Sequence, residues 1–373
     1  MWSFALRTLV SDRGKLITAL VGVVFSVVLV NVQGGLFLGL ISKASMLVDF
    51  GQADIWVGHR RMHNVDFTVD IPRRWIHRIR SVSAVQSAEP YLIGFSPMTL
   101  PSGAFELCAV VGVRRGSSMG NAWTFENGGV NSLSQNDGII VDCHEDEKLE
   151  NPQLNEVREI GGRRARVVAK SRGIIGFLVN PYVFTTYERA SQYLGTPPDR
   201  SSYFLVKLKP GVDVQQAVQA IQKRVPELDV RTRENYAQVS VNYWMTRTGL
   251  GISFGAATLL GLFVGLVMVG QTLHAMVLDR LGEFGTLKAI GASERQVFAV
   301  LIIQAITMAF VGTICGLSLV AVIQSTFSTP QAPIVVPFFL SIGSFILVFI
   351  ICIACSIIPY LRIRKLDPAM VLN

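Results

Sequence analysis

Four apolar runs set the strongest limit on the fold of this chain. They cover residues 16–41, 249–276, 297–323 and 337–361. Each is long enough to be a membrane helix, because crossing the hydrocarbon core takes about 20 apolar residues. Only 16% of the 373 residues are charged, whereas soluble chains carry about 25%. The first run is longer than the apolar part of a signal peptide, usually about 7–15 residues, so we predict a retained anchor.

The basic residues beside these runs predict the orientation of the chain. The net charge is +8, which could indicate nucleic-acid binding, but basic residues also occupy the short segments beside the apolar runs, where they report orientation. They are Arg7, Arg13, Lys15, Arg280, Lys288, Arg295, Arg362, Arg364 and Lys365. Short loops rich in Lys and Arg stay in the cytoplasm. We therefore predict cytoplasmic termini, an external segment after the first run, and no nucleic-acid partner.

These observations predict a membrane protein with four transmembrane α-helices (TM1–TM4) and a large α+β extracytoplasmic domain inserted between spans 1 and 2. The predicted parts are a cytoplasmic segment 1–15, TM1 16–41, the domain 42–248, TM2 249–276, a cytoplasmic loop 277–296, TM3 297–323, an external loop 324–336, TM4 337–361 and a cytoplasmic tail 362–373.

The inserted segment mixes helix and strand patterns. "IPRRWIHRIRSV" and "DVQQAVQAIQKRV" place apolar residues at helical spacing. "FELCAVVGV", "GIIV", "RARVVAKS", "SYFLVKLK" and "LDVRT" are short and rich in β-branched residues, which is typical of strands. A helix lying between two strands favours an α+β layer.

No motif predicts catalysis or a metal site. The sequence lacks G-x-x-x-x-G-K-[ST], H-E-x-x-H and G-x-S-x-G. We therefore predict no enzymatic activity, no cofactor and no metal in this chain. Cys108 and Cys143 fall in the external segment, where a disulfide is chemically permitted, but the sequence leaves their pairing open.

Small residues at one-turn spacing predict close helix packing in the spans. The G-x-x-x-G pairs are Gly35–Gly39, Gly251–Gly255, Gly261–Gly265 and Gly312–Gly316. Such pairs let helix backbones approach closely, within one chain or across a dimer. Charged residues are nearly absent from the middle of the spans, which argues against an ion pathway.

The loop between the second and third runs has its own helical pattern. In "DRLGEFGTLKAIGASERQ", Leu281, Phe284, Leu287 and Ile290 share one face. Gly291 is placed to end the helix, and Ser293 to cap the next one. The pattern alone fits either a tight connecting loop or a lever that a partner could grip.

This loop resembles the cytoplasmic loop of FtsX-like ABC permeases of the MacB and LolC/LolE type, which reads R-x-x-E-[IF]-G-x-L-K-A-[IL]-G-A. The tail "LDPAMVL" resembles the family's D-P-x-x-x-L at Asp367, Pro368 and Leu372. The resemblance implies that the loop is a coupling helix that docks on a separate ATPase. The matching residues are Arg280, Glu283, Phe284, Gly285, Leu287, Lys288, Ala289, Ile290 and Gly291.

The resemblance also implies partners and a place in the cell. They are an ABC ATPase subunit of the DevA/MacB type that binds ATP and Mg²⁺, a DevB-like periplasmic fusion protein, a second permease copy in a homodimer, an outer-membrane channel and membrane lipid. The implied location is the bacterial inner membrane. Motion rather than a conduit would then drive export of a lipid-like or amphiphilic substrate.

"NYWMTRTGLGISFG" and "GQADIWV" are similar to DevC-type permeases, although "TGLG" replaces the usual T-P-I-G and residues 112–127 have no counterpart. Two other functions remain open within the family. One is an FtsX-like signalling subunit that activates cell-wall hydrolases, and the other is a lipoprotein-releasing permease.

Overall fold

The computed structural model describes residues 2–280, 282–283, 286 and 290–364. The chain divides into two compact units. The helical unit contains the chain up to Gly39 and again from Gly251 onward, and the inserted domain contains Leu40–Leu250. The helices are α1 (Trp2–Ser11), α2 (Arg13–Lys43), α3 (Met46–Phe50), α4 (Ile76–Arg80), α5 (Tyr187–Leu194), α6 (Val214–Arg224), α7 (Arg233–Arg247), α8 (Leu250–Asp279), α9 (Glu294–Phe327) and α10 (Phe338–Arg364).

Four of these helices are long and apolar enough to cross a membrane. They are α2, α8, α9 and the part Phe338–Leu361 of α10. A domain of strands and helices lies in the chain between the first and second of them. The predicted fold class, four apolar helices with a large mixed domain inserted after the first, is therefore confirmed.

The inserted domain is built on one mixed sheet. Its strands are β1 (Ile55–His59), β2 (Ile71–Pro72), β3 (Val85–Thr99), β4 (Phe105–Val113), β5 (Phe125–Asn127), β6 (Gly138–Asp142), β7 (Val157–Ile160), β8 (Arg163–Ser171), β9 (Tyr182–Thr186), β10 (Arg200–Ser201), β11 (Tyr203–Leu208) and β12 (Leu228–Thr232). The large sheet has the order β12-β1-β11-β3-β4-β9-β6-β8-β5, and β7 pairs with β3 and β8. Pairs β4–β9 and β6–β8 are parallel, whereas β2 and β10 form a separate ribbon.

Side chains that alternate along each strand divide the core between the faces of this sheet. Along β1, Trp56 enters one cluster, whereas Ile55 and Val57 enter another. Helix α6 covers the second cluster through Ala217 and Ile221. Helix α7 contributes Tyr236 to the first. The strands and helices predicted from short motifs in this segment are confirmed by β4, β6, β8, β11, β12, α4 and α6.

In the helical unit, α1 was not predicted as a helix. Its alternation of small and apolar residues buries Ala5 and Leu9, and it packs against α9. Gln304 of α9 donates a hydrogen bond to Thr8 Oγ1 at 3.0 Å. The segment before the first span is therefore part of the bundle and not only a charged flank.

Candidate functional site

The turn between α8 and α9 is the first part of the candidate site. Helix α8 ends at Asp279, and α9 begins at Glu294. Gly291 has a left-handed backbone with φ of 97°, which glycine adopts without strain. Ser293 Oγ accepts a hydrogen bond from Gln296 N, and Gln296 Oε1 accepts one from Ser293 N at 2.8 Å. The predicted cap at Ser293 is therefore confirmed, and Gly291 has the left-handed backbone that a helix-ending glycine adopts.

The described part of the turn is exposed. The Glu283 side chain is 54% exposed, and Ile290 is 80% exposed. Ile290 N donates to Thr286 O at 3.0 Å, as in a helical turn. The other predicted docking residues lie outside the described residues: Phe284, Gly285, Leu287, Lys288 and Ala289. The tail residues Asp367, Pro368 and Leu372 also lie outside them.

Polar contacts connect the turn to the junction of α1 and α2. Arg280 donates to Ser11 Oγ and lies 3.5 Å from Glu283 Oε2. Lys15 forms ion pairs with Asp279 and Asp12. The Lys15 N–H and ammonium lower the pKa of Asp12 below its usual value. The turn is therefore linked by polar contacts to the start of α2.

The pair Gly261–Gly265 of α8 and the pair Gly312–Gly316 of α9 both face α2. A methyl group added at Gly261 or Gly265 would collide with Leu29 or Ser26. One added at Gly316 would lie 2.8 Å from Val27 Cβ, and one at Gly312 would lie 2.7 Å from Val23 Cβ. Helix α2 is therefore held closely by glycine faces of two neighbouring helices.

The other two pairs behave differently. Gly35 and Gly39 of α2 contact the loop before α10, where Val336 and the Pro333 backbone lie. Gly251 is partly buried, and Gly255 is exposed. A methyl group at Gly255 would meet no described atom within 4 Å. The structure thus brings six of the eight predicted glycines against other segments of the helical unit and leaves Gly255 facing outward.

One cluster in the inserted domain has the composition of a metal site. It is the only group of three potential ligands that lie together among the described residues, and it contains Asp142, Cys143 and His144. Asp142 accepts bonds from Ser171 Oγ at 2.9 Å and from Ile174 N at 2.8 Å, and also from His144 N and Gly173 N. These donors occupy its carboxylate. We therefore interpret Asp142 as a structural residue that holds the end of β6 to the segment after β8.

Cys143 does not behave as a reactive thiol. Partial burial, with a hydrogen bond to Glu126, raises the pKa of Cys143 to about 12. Burial raises the pKa of Cys108 to about 12 as well. Both are free cysteines, which answers the open question of a disulfide between them. A neutral thiol is a weak nucleophile, and the nearby Arg172 lowers the pKa of Cys143 by less than burial and Glu126 raise it.

Together the four apolar helices and the inserted domain define a polytopic membrane protein whose turn is exposed between two spans. Residues 255–368 match the family described as FtsX-like permease C-terminal. The chain therefore carries an FtsX-like permease domain.

Relatives of this chain include ABC permeases. An uncharacterised ABC transporter permease of Mycobacterium tuberculosis is 26% identical over 225 residues, which is 58% of this chain and 57% of that protein. The macrolide export ATP-binding/permease protein MacB of Rhodopseudomonas palustris is 24% identical over 316 residues, 76% of this chain and 47% of MacB. The chain thus spans about half the length of these relatives. The crystal structure of the periplasmic region of MacB from Actinobacillus actinomycetemcomitans has a TM-score of 0.39 and 11% identity, over 51% of this chain and 92% of that one.

Proposed function

We propose that this chain is the permease subunit of an ABC exporter of the MacB/DevC type. The observation that carries the proposal is that the described residues Glu283, Thr286 and Ile290 are exposed in the segment that joins α8 to α9 inside the region matching the FtsX-like family. Glu283 and Ile290 present a charged and an apolar group to water on this turn. An ATPase subunit with a matching groove would bind it.

The contacts of the turn suggest how a pull on it spreads. Asp279 is paired with Lys15 of α2, and Gln304 of α9 is bonded to Thr8 of α1. Closure of an ATPase dimer on ATP would therefore displace α8, α9 and the start of α2 together. The inserted domain would then push substrate outward, without a conduit through the spans.

The proposal includes specific partners. ATP and Mg²⁺ bind the separate ATPase, two permease copies form a homodimer so that both coupling turns are engaged, and a periplasmic fusion protein and an outer-membrane channel receive the substrate. The substrate class is amphiphilic or lipid-like. The termini and the turn lie in the cytoplasm, and the inserted domain lies outside the inner membrane, as short basic loops favour.

The test replaces one apolar residue of the turn by a charge. Phe284→Asp should lower export by about tenfold or more, because burying an unpaired carboxylate in an interface costs more than about 1.4 kcal/mol. ATP hydrolysis by the ATPase and membrane insertion should persist. Thr286→Asp adds the same charge at an exposed position on another face and should keep export near the wild-type level.

Export and ATPase activity are measured in vesicles that contain the permease, the ATPase and the fusion protein. Unchanged export in Phe284→Asp would refute the coupling role. A wild-type complex that hydrolyses ATP and activates a cell-wall hydrolase, but moves no amphiphile, would favour the FtsX-like signalling function.

A further inference from the structure

A buried carboxylate lies in the inserted domain without a cation. Asp66 is 4% exposed, and it forms no ion pair with any Lys, Arg or His among the described residues. Its Oδ1 accepts one hydrogen bond, from Tyr182 Oη at 2.7 Å. A carboxylate with one phenol partner and no counter-charge is unfavourable when ionised.

The groups that face Asp66 are phenols from four elements. They are Tyr91 of β3, Tyr182 of β9, Tyr203 of β11 and Tyr236 of α7. Burial raises the pKa of each of these tyrosines above its usual value, so they stay neutral near neutral pH. His63 and Asp70 belong to the same loop and are exposed at its surface, and partial burial raises the pKa of Asp70. Among the buried groups of this cluster, Asp66 is the one that titrates between mildly acidic and neutral pH.

Asp66 lies in the loop of residues 60–70, which joins β1 to β2. Tyr203 Oη donates to Val65 O at 3.0 Å and to Asn64 O at 3.3 Å. On the other side of Asp66, the Phe67 ring lies 6.4 Å from Tyr243 and 6.2 Å from Trp244. The loop thus connects the buried tyrosines of the sheet to the end of α7.

The contact of Phe67 with α7 matters because α7 leads directly into a membrane-spanning helix. Helix α7 ends at Arg247, and the membrane-spanning helix α8 begins at Leu250. Phe177 also packs on Trp244, with ring centroids 4.2 Å apart. Contacts at Tyr243 and Trp244 therefore fix the last turn of the helix that precedes a span in the chain.

We propose that Asp66 is a proton-controlled latch on loop 60–70. When protonated, Asp66 stays among the tyrosines and holds Phe67 against α7. When ionised, it favours an open loop in which the carboxylate reaches water and Phe67 leaves Tyr243 and Trp244. The inference stands on the inserted domain alone and does not depend on the proposed export function.

The direction of the pH effect follows from the burial. Burial raises the pKa of Asp66 from 3.8 to about 6, partly offset by the Tyr182 hydrogen bond. An acid whose pKa is raised in the closed state stabilises that state. This stabilisation is greatest at pH values below the pKa that the acid has in the open state. This stabilisation is lost as the pH rises from 3.8 toward 6 and does not fall further above that range. The closed loop is thus favoured in acid.

The experiment measures hydrogen exchange of loop 60–70 in the full-length protein in detergent. Between about pH 5 and about pH 7.5, the shift in pKa predicts about a tenfold loss of protection, after correction for intrinsic exchange rates. Asp66→Asn should remain protected at both pH values, because the amide cannot ionise. Asp199→Asn, which removes an exposed carboxylate of the same domain, should keep the wild-type pH response.

A second variant keeps the test decisive if Asp66→Asn folds poorly. Tyr182→Phe removes the hydrogen bond that favours the ionised form, so the midpoint of the exchange transition should move to higher pH. Wild-type protection that does not change with pH would overturn the proposal. A pH response that persists in Asp66→Asn, or a midpoint that Tyr182→Phe leaves unmoved, would overturn it too.

Discussion

At the scale of single residues, the glycines show what spacing alone leaves open. Four G-x-x-x-G pairs are equivalent in the sequence, yet Gly316 touches Val27 whereas Gly255 faces outward. The difference arises because the spacing of a pair fixes its face on the helix but not the helix that covers this face. The sequence could therefore propose the packing glycines but could not rank them.

This difference predicts unequal effects of the same substitution. Gly316→Leu should destabilise the helical unit by about 1–3 kcal/mol, because the new side chain enters space that Val27 occupies. Gly255→Leu raises the helix propensity by a similar amount, but a Cβ at this position meets no described atom within 4 Å. The stability of this variant should therefore equal or exceed that of the wild type. Unfolding of the detergent-solubilised protein in a denaturing detergent gives both values. Equal losses in the two variants would contradict the assigned packing.

At the scale of elements, one polar pair joins the first and fourth spans. Asn31 of α2 is fully buried, and its Nδ2 donates to Ser344 Oγ of α10 at 2.8 Å and to Val27 O at 2.8 Å. The sequence marks Asn31 only as a polar interruption of an apolar run. Its partner lies 313 positions away, so no local pattern could reveal the pair.

A double-mutant cycle measures what this contact contributes. Asn31→Leu and Ser344→Ala should each destabilise the helical unit, with a coupling energy of about 0.6–1.7 kcal/mol, as interhelical hydrogen bonds in membranes give. The matched control pairs Asn31→Leu with Ser318→Ala, since the Ser318 hydroxyl bonds only its own helix at Ile314 O. A coupling energy near zero for Asn31 and Ser344 would show that the contact adds no stability.

Two helices that adjoin spans are not separated from them by the sequence pattern. Helix α1 lies directly before α2, inside the segment predicted as cytoplasmic, and α7 lies directly before α8. Their packing depends on residues distant in the chain, as in the bond from Ser240 Oγ to Ala44 O. The long spans, by contrast, are set by composition and length, and the strands by β-branched runs. These parts of the fold could be predicted from sequence.

At the scale of the whole molecule, the orientation in the membrane is a prediction. A cysteine at the exposed position Ser102 of the inserted domain should react with a membrane-impermeant maleimide in intact cells. A cysteine at the exposed position Thr286 should react only after the cells are permeabilised, because the basic turn stays inside. Labelling of the Thr286 variant in intact cells would reverse the orientation and place the turn beyond the reach of any ATPase.

The glycine faces around α2 also bear on movement. Val23 meets Gly312 and Val27 meets Gly316, so valines on α2 and glycines on α9 share a four-residue spacing. A shift of α2 by one such repeat, about 6 Å, would place Val23 at Gly316 but would bring Val27 onto Val320. A shift in the other direction would bring Val23 onto Met308. The pattern therefore fixes a single register between the first and third spans, so that sliding of one along the other is disfavoured and the two are expected to move together.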